Sequence, residues 1–444
     1  MTANAAVGDF DLMDPEVLGS PYDFYAALRE HAPVHLTPYG FWLISRYDDV
    51  LAVVRDPTRF SSQMLGPFAA QPSPEVAEIL KDAYPGVPTL LTNDPPSHTR
   101  FRNLVNKAFS PKRVAQMEGD ILRIAEELVD AFAADGEVEL VSQFAVPLPL
   151  TVIADALGVD RADMPAFKRW SDDSVAPLSG LLTEERKVEC ARSRVEMQRY
   201  MVARIEERRA ERRDDLLSDL VHARLDAEAA VAEVAVAEGA GAAGLGGPGD
   251  GVGELLTIAE LLNVIEQLLV AGNETTTKLI TSGMLLLLEQ PAEMAKVRAD
   301  PELVGNLVEE ALRYESPVQM LFRTTTTEVE VAGVPIPAGA ACLVVYGSAN
   351  RDDGHFPGAA DFDVERANAR THLAFGQGPH FCVGAALARA EGRIGFRVLL
   401  DRLDDLAVAP VNTYERELSM VLRGWKALHL TFAAQVAEKE GVPG

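Results

Sequence analysis

Residues 255–290 constrain the fold more than any other stretch of this chain. They are apolar on nearly every face and helix-forming except near the middle. At ~1.5 Å per residue, a helix of that length runs roughly 54 Å. A helix apolar all round must be buried, so this one is expected to cross the core. Glu260, Glu266 and Glu289 interrupt it too soon for a membrane span. The middle reads Ala271-Gly272-Asn273-Glu274-Thr275-Thr276-Thr277 and breaks local rules. A helix-interior glycine costs ~1 kcal/mol relative to alanine, three threonines lose rotamer freedom, and a core carboxylate is costlier still. Rules broken inside an otherwise consistent element mark a functional site. The bland alternative is that Thr275 only bonds back to the carbonyl of Ala271.

Around this segment the chain reads as mostly α with small β-sheets, built as one large unit over residues 1–444. Helical spacing fits 47–55, 75–83, 140–157, 164–175, 184–212, 215–225 and 301–314. Ser110 before Pro111 is a helix start, a capping hydroxyl followed by a residue whose missing N–H costs nothing. A last helix is expected from about Cys382 to Leu403. Strand patterns lie at 33–36, 41–45, 322–331, 334–336, 341–346 and 428–432. Residues 60–94, rich in Pro, Gly, Ser and Met, read as a lid or binding loop. Residues 226–253 read as a flexible Ala/Gly-rich insertion before the central helix.

Charge and cysteine usage exclude several function classes. Lys+Arg number 41 against 67 Asp+Glu, a formal charge of −26, which would repel phosphate backbones and argues against a nucleic-acid partner. The first basic residue is Arg29, so neither a secretory signal nor a membrane anchor is expected, and the expected location is cytoplasmic. Cys190, Cys342 and Cys382 form no CxxC pair, which leaves a zinc ribbon, a thioredoxin-like site and a disulfide framework without support.

Cys382 stands apart. It lies in Phe375-Gly376-Gln377-Gly378-Pro379-His380-Phe381-Cys382-Val383-Gly384, just before a run of small residues. Unpaired N–H groups at a helix start favour thiolate over thiol, and the glycines let backbone approach closely. Such a thiolate suits a metal ligand, while the small residues would let a flat group lie against the helix. A buried cysteine in a glycine turn is the bland alternative.

The spelling FGQGPHFCVG resembles the haem-binding loop of the cytochrome P450 family, soluble bacterial type. The resemblance implies haem b, packed between the central helix and the cysteine-loop helix, with Cys382 as axial thiolate and Phe375 beside the cofactor. A thiolate ligand favours O–O cleavage. The central-helix segment resembles the family's oxygen-activation motif. It implies a groove for dioxygen at Ala271 and Gly272, a Thr275 hydroxyl that holds the bound oxygen, and a Glu274 that helps deliver protons. Glu310 and Arg313 lie on one helix face and alone would be an ordinary surface pair. The family's ExxR motif instead implies a buried triad with Arg366. His98, Arg102, Arg323 and His380 match positions that hold the haem propionates. Leu90, Leu91, Leu268, Ala271, residues 318–321, Met420 and Val421 match substrate contacts.

The resemblance therefore implies a monooxygenase that inserts one atom of dioxygen into a small hydrophobic substrate, by hydroxylation or epoxidation, in secondary metabolism. No GxGxxG strand–helix unit appears, so electrons are expected from a separate ferredoxin and ferredoxin reductase. Lys107, Lys112, Arg113 and Arg389 are candidates for the docking patch. The rivals are a peroxygenase, an isomerase or dehydratase on the same scaffold, and a non-catalytic haem sensor.

Overall fold

The structure, a computed structural model, describes residues 7–63, 72–179, 182–223 and 255–434. The 226–253 insertion lies outside the described residues.

The apolar segment forms one helix, Ile258–Glu289, buried along most of its length. It starts where a capping box satisfies its first donors. The Glu260 N–H donates to the Thr257 hydroxyl at 3.2 Å, and the Thr257 N–H donates to the Glu260 carboxylate at 2.8 Å. The expected start at 255 thus moves to 258. Arg100 adds an ion pair to Glu260 at 2.7 Å. Pro291 opens the next helix, Pro291–Ala299.

Two helices, Val304–Tyr314 and Ala385–Arg402, pack against this axis, and Pro111–Asp130 lies along the second. Contact between the axis and Ala385–Arg402 is close at Gly283, where an added Cβ would sit 2.5 Å from the Phe396 ring. Ser110 caps Pro111–Asp130 as expected, accepting from the Arg113 N–H. The same helix buries Val114, Ile121 and Ile124. One hydrophobic cluster joins residues from Leu90 to Phe432 around the axis.

The described strands form three small sheets. The largest runs Val34–Leu36, Phe41–Ile44, Ala341–Val344, Leu321–Thr325, Phe60–Ser61; the second and third of these pair in parallel, the others antiparallel. Glu137–Glu139, His429–Thr431 and Ala407–Val408 make the second sheet, and the hairpin Val329–Val331/Val334–Ile336 makes the third.

Three expected boundaries change for local reasons. The 322–331 strand divides into Leu321–Thr325 and Val329–Val331, in different sheets. Its chain turns where the Thr325 hydroxyl bonds the Pro337 carbonyl at 2.6 Å and the Ala340 N–H at 2.9 Å. The 140–157 helix divides into a wide π turn, Val141–Ala145, and Pro147–Ala156. Pro147 and Pro149 carry no N–H, so an unbroken α ladder is impossible there. The last helix begins at Ala385, leaving Cys382 in the turn before it.

The ion triad is present and sealed. Arg313 holds Glu310 through two bonds of 2.7 Å, and Arg366 reaches the same carboxylate at 3.1 Å. Arg313 also donates to the carbonyls of Asn350 and Ala359, both at 2.9 Å. The pair thereby ties the Val304–Tyr314 helix to the irregular segment that leads to the cysteine loop.

Candidate active site

The cysteine loop is shaped by backbone that ordinary residues resist. Gly376 and Gly378 have φ of +66° and +71°, and an added Cβ on Gly378 would sit 2.5 Å from the Val54 carbonyl oxygen. The loop closes through the Cys382 N–H, which donates to the Phe375 carbonyl at 2.8 Å. Cys382 is thereby presented to a cavity.

The cavity lies between the two motifs. Ala271, Gly272 and Thr275 line it from the central helix, and Phe375, Cys382, Val383 and Gly384 line it from the loop. Leu90, Leu91, Leu268, Val318 and Leu321 add apolar wall, whereas Gln319 and Met320 of the expected 318–321 stretch do not border it. Met420 and Val421 do not border it: Met420 packs with Phe24 and Met320 in a separate cluster, and Val421 is buried.

Burial moves the Cys382 thiol upward from its ordinary value; the Gly384 N–H and the charges of Arg102 and Arg389 pull it down. The expected preference for thiolate is therefore reversed. Burial outweighs the Gly384 N–H and the two guanidiniums. A metal cation at the sulfur would restore the balance, since a coordinating thiol is deprotonated.

Arg102, Arg323 and His380 border the cavity, while His98 stands behind His380 with ring centroids 4.3 Å apart. Burial pushes the two imidazoles down to about 4 for His98 and about 3 for His380, so both are neutral near pH 7. The Nε2 atoms of both are buried without a hydrogen-bond partner. Arg323 donates to the Phe322 carbonyl at 2.7 Å, and Arg102 to Asn106 at 2.9 Å. Two guanidiniums and the unpartnered His380 Nε2 fit an anionic, multidentate guest. That is the donor set the propionates of a haem require. Among the described residues no group of three or more His, Cys, Asp or Glu is gathered for a bare ion.

On the central helix, the Thr275 hydroxyl bonds the Ala271 carbonyl at 2.8 Å and also borders the cavity. The back-bond and the cavity position therefore coexist. Glu274 turns away from the cavity. Its carboxylate meets the Lys278 ammonium at 2.7 Å, and Lys278 meets Glu417 at 2.9 Å. Although burial opposes it, Lys278 holds Glu274 below the ordinary carboxylate value.

Gln267 and Glu391 are polar cavity residues that had no expected role. Gln267 borders it on the central helix, and Glu391 on the Ala385–Arg402 helix. Their signal in the sequence is a polar side chain at an otherwise apolar helical position. The expected docking patch is weakened. Arg389 is held by Glu309 at 2.7 and 3.0 Å and lies over the Phe375 ring, and Arg113 pairs with Asp214 at 3.2 Å. Among the described residues no helix is long and apolar enough to cross a membrane.

Residues 161–424 match the family model described as Cytochrome P450. The chain is 38% identical to the cytochrome P450 monooxygenase PikC of Streptomyces venezuelae, over 96% of this chain and 94% of that one. It is 36% identical to 6-deoxyerythronolide B hydroxylase of Saccharopolyspora erythraea, over 91% of this chain and 94% of that one. The structure of cytochrome P450 CYP109Q5 from Chondromyces apiculatus superposes with a TM-score of 0.79 at 38% identity, covering 96% and 98% of the two chains.

Proposed function

The chain belongs to the cytochrome P450 family, oxidoreductases that incorporate oxygen and bind haem through a cysteine, and we propose that Cys382 is that cysteine here. The observation that carries the reading is the cavity that Cys382 shares with Thr275, edged by the unpartnered Nε2 of His380.

Each residue then has a task. Cys382 would ligate the iron, and Phe375 would pack beside the cofactor. Arg102, Arg323 and His380 would hold the propionates, with His98 supporting His380 from behind. Haem bound there supplies dioxygen activation by a thiolate-ligated iron. Ala271 and Gly272 leave space for dioxygen beside the helix. Thr275 gives its hydroxyl proton to the Ala271 carbonyl and would turn it toward that space when dioxygen occupies it. Glu274, ionised against Lys278, is the acid–base group nearest Thr275 in sequence; to replenish the proton it would first take one from the Lys278 ammonium or from water, then turn toward the cavity and pass it on. The apolar wall at Leu90, Leu268, Val318 and Leu321 excludes water and takes a small hydrophobic substrate. The hydroxylase among the relatives makes hydroxylation the reaction to test first, with epoxidation second.

Electrons come from a separate ferredoxin and its reductase. Lys107, Lys112 and Arg113 remain the docking candidates on the face behind the cysteine loop. The test is turnover with a surrogate ferredoxin system under labelled dioxygen, with one labelled atom expected in the product. Turnover with peroxide alone, and none with the ferredoxin system, would overturn the reading in favour of a peroxygenase. Reduction that slows with added salt and with Lys112→Glu supports the docking face. Rates indifferent to both remove it.

A further inference from the structure

Gln267 is a polar side chain on an otherwise apolar stretch of cavity wall. Its neighbours there are Leu90, Leu91, Leu268 and Ala271. The cavity's charged groups lie elsewhere, around Cys382 and on the Ala385–Arg402 helix.

The orientation of its amide is set by the loop before the Ser97–Ala108 helix. The Leu90 and Leu91 N–H groups both donate to Gln267 Oε1, at 3.1 and 3.0 Å. Only the oxygen of a carboxamide accepts, so two converging donors fix which end is which. Nε2 is left with two protons and no partner among the described residues. An apolar guest covering it would strip its water and return nothing. A site of that kind rejects ligands that lack the matching acceptor.

Gln267 stands eight residues before Thr275 on the same helix, so the two lie ~12 Å apart along its axis. An acceptor that meets Gln267 therefore belongs to the end of the molecule remote from the oxidised carbon.

We propose that Gln267 selects an apolar substrate bearing a carbonyl or hydroxyl oxygen at its remote end, by donating from Nε2 to that oxygen. The proposal rests on the reading of this cavity as the haem and substrate site.

The test uses the haem-loaded protein and a rigid pair of probes, 4-phenylcyclohexanone and phenylcyclohexane. Calorimetry gives the Kd of each, and the haem absorption band reports entry into the site. The wild type should prefer the ketone about tenfold, the value of one hydrogen bond. Gln267→Glu still accepts from Leu90 and Leu91 but cannot donate when ionised, so the preference should vanish or invert. Gln267→Met should also lose it and expose the loop to faster proteolysis. An undiminished ketone preference in Gln267→Glu overturns the proposal, as does a wild type with no preference or with no affinity for either probe. The reduced carbon monoxide spectrum of each protein separates the two readings. A thiolate band without ketone preference removes Gln267 alone, and absence of the band removes the Cys382 assignment.

Discussion

The Thr276 hydroxyl donates to the Glu391 carboxyl across 3.1 Å, joining the central helix to the helix that follows the cysteine loop. Among the described residues no cation opposes Glu391, and burial pushes its carboxyl from 4.5 up to about 8. The folded protein thus holds a proton that the unfolded chain releases. Stability is unaffected below about pH 4.5, falls as pH rises toward 8, and is flat above. At pH 7 the deficit is on the order of 3 kcal/mol. Glu391→Gln keeps an acceptor for Thr276 and removes the titration. Its thermal midpoint should exceed the wild type at pH 7–8 and converge with it near pH 4.5. Parallel midpoint–pH curves for the two proteins would rule this out.

Replacing each cysteine in turn tests the ligand. Cys342 is buried in the largest sheet, its thiol pushed up to about 12 by burial, and Cys190 is buried on the Glu184–Ala210 helix. Serine at either should leave the red-shifted carbon monoxide band of a thiolate-ligated haem. Cys382→Ser should abolish it. The opposite pattern would reassign the ligand.

Thr275→Ala should uncouple the enzyme and spare the fold. The back-bond to Ala271 is lost, but the backbone carbonyl remains in its helix, and helix propensity improves by a few tenths of a kcal/mol. Reducing equivalents should then leave as peroxide. Product per donor oxidised, with peroxide assayed alongside, is the measurement. Wild-type coupling would leave Thr275 only its helical back-bond.

Glu310→Ala should cost ~3–5 kcal/mol, because Arg313 and Arg366 lose their shared counter-charge in a site that solvent does not reach. Removing Glu196 from its exposed pair with Arg169 should cost less than ~1 kcal/mol. Urea midpoints of the two variants make the comparison. Similar losses would mean the triad contributes no more than a surface pair.

The motifs at 271–277 and 375–384 were legible because each packs its chemistry into adjacent residues. The mostly helical class was legible because apolar spacing repeats within single elements. Gln267 and Glu391 stood out only as polar residues among apolar ones, and what they meet was not legible. Their partners lie 177 and 115 residues away for Leu90 and Thr276 respectively, and no local pattern encodes such a meeting.

The sequence by itself therefore determined the long buried helix, the glycine turns that present Cys382, and the order in which the cofactor residues occur. These depend on propensity, periodicity and backbone freedom, which act over a few residues. Tertiary structure alone decided which charges are spent on one another, as Arg389 is on Glu309 and Glu274 on Lys278. It also decided that burial lifts the Cys382 thiol, and that Met420 packs outside the cavity while Gln267 faces it. The reason is that desolvation and pairing depend on what the rest of the chain brings to within a few ångströms, and that distance is set only when the helices pack.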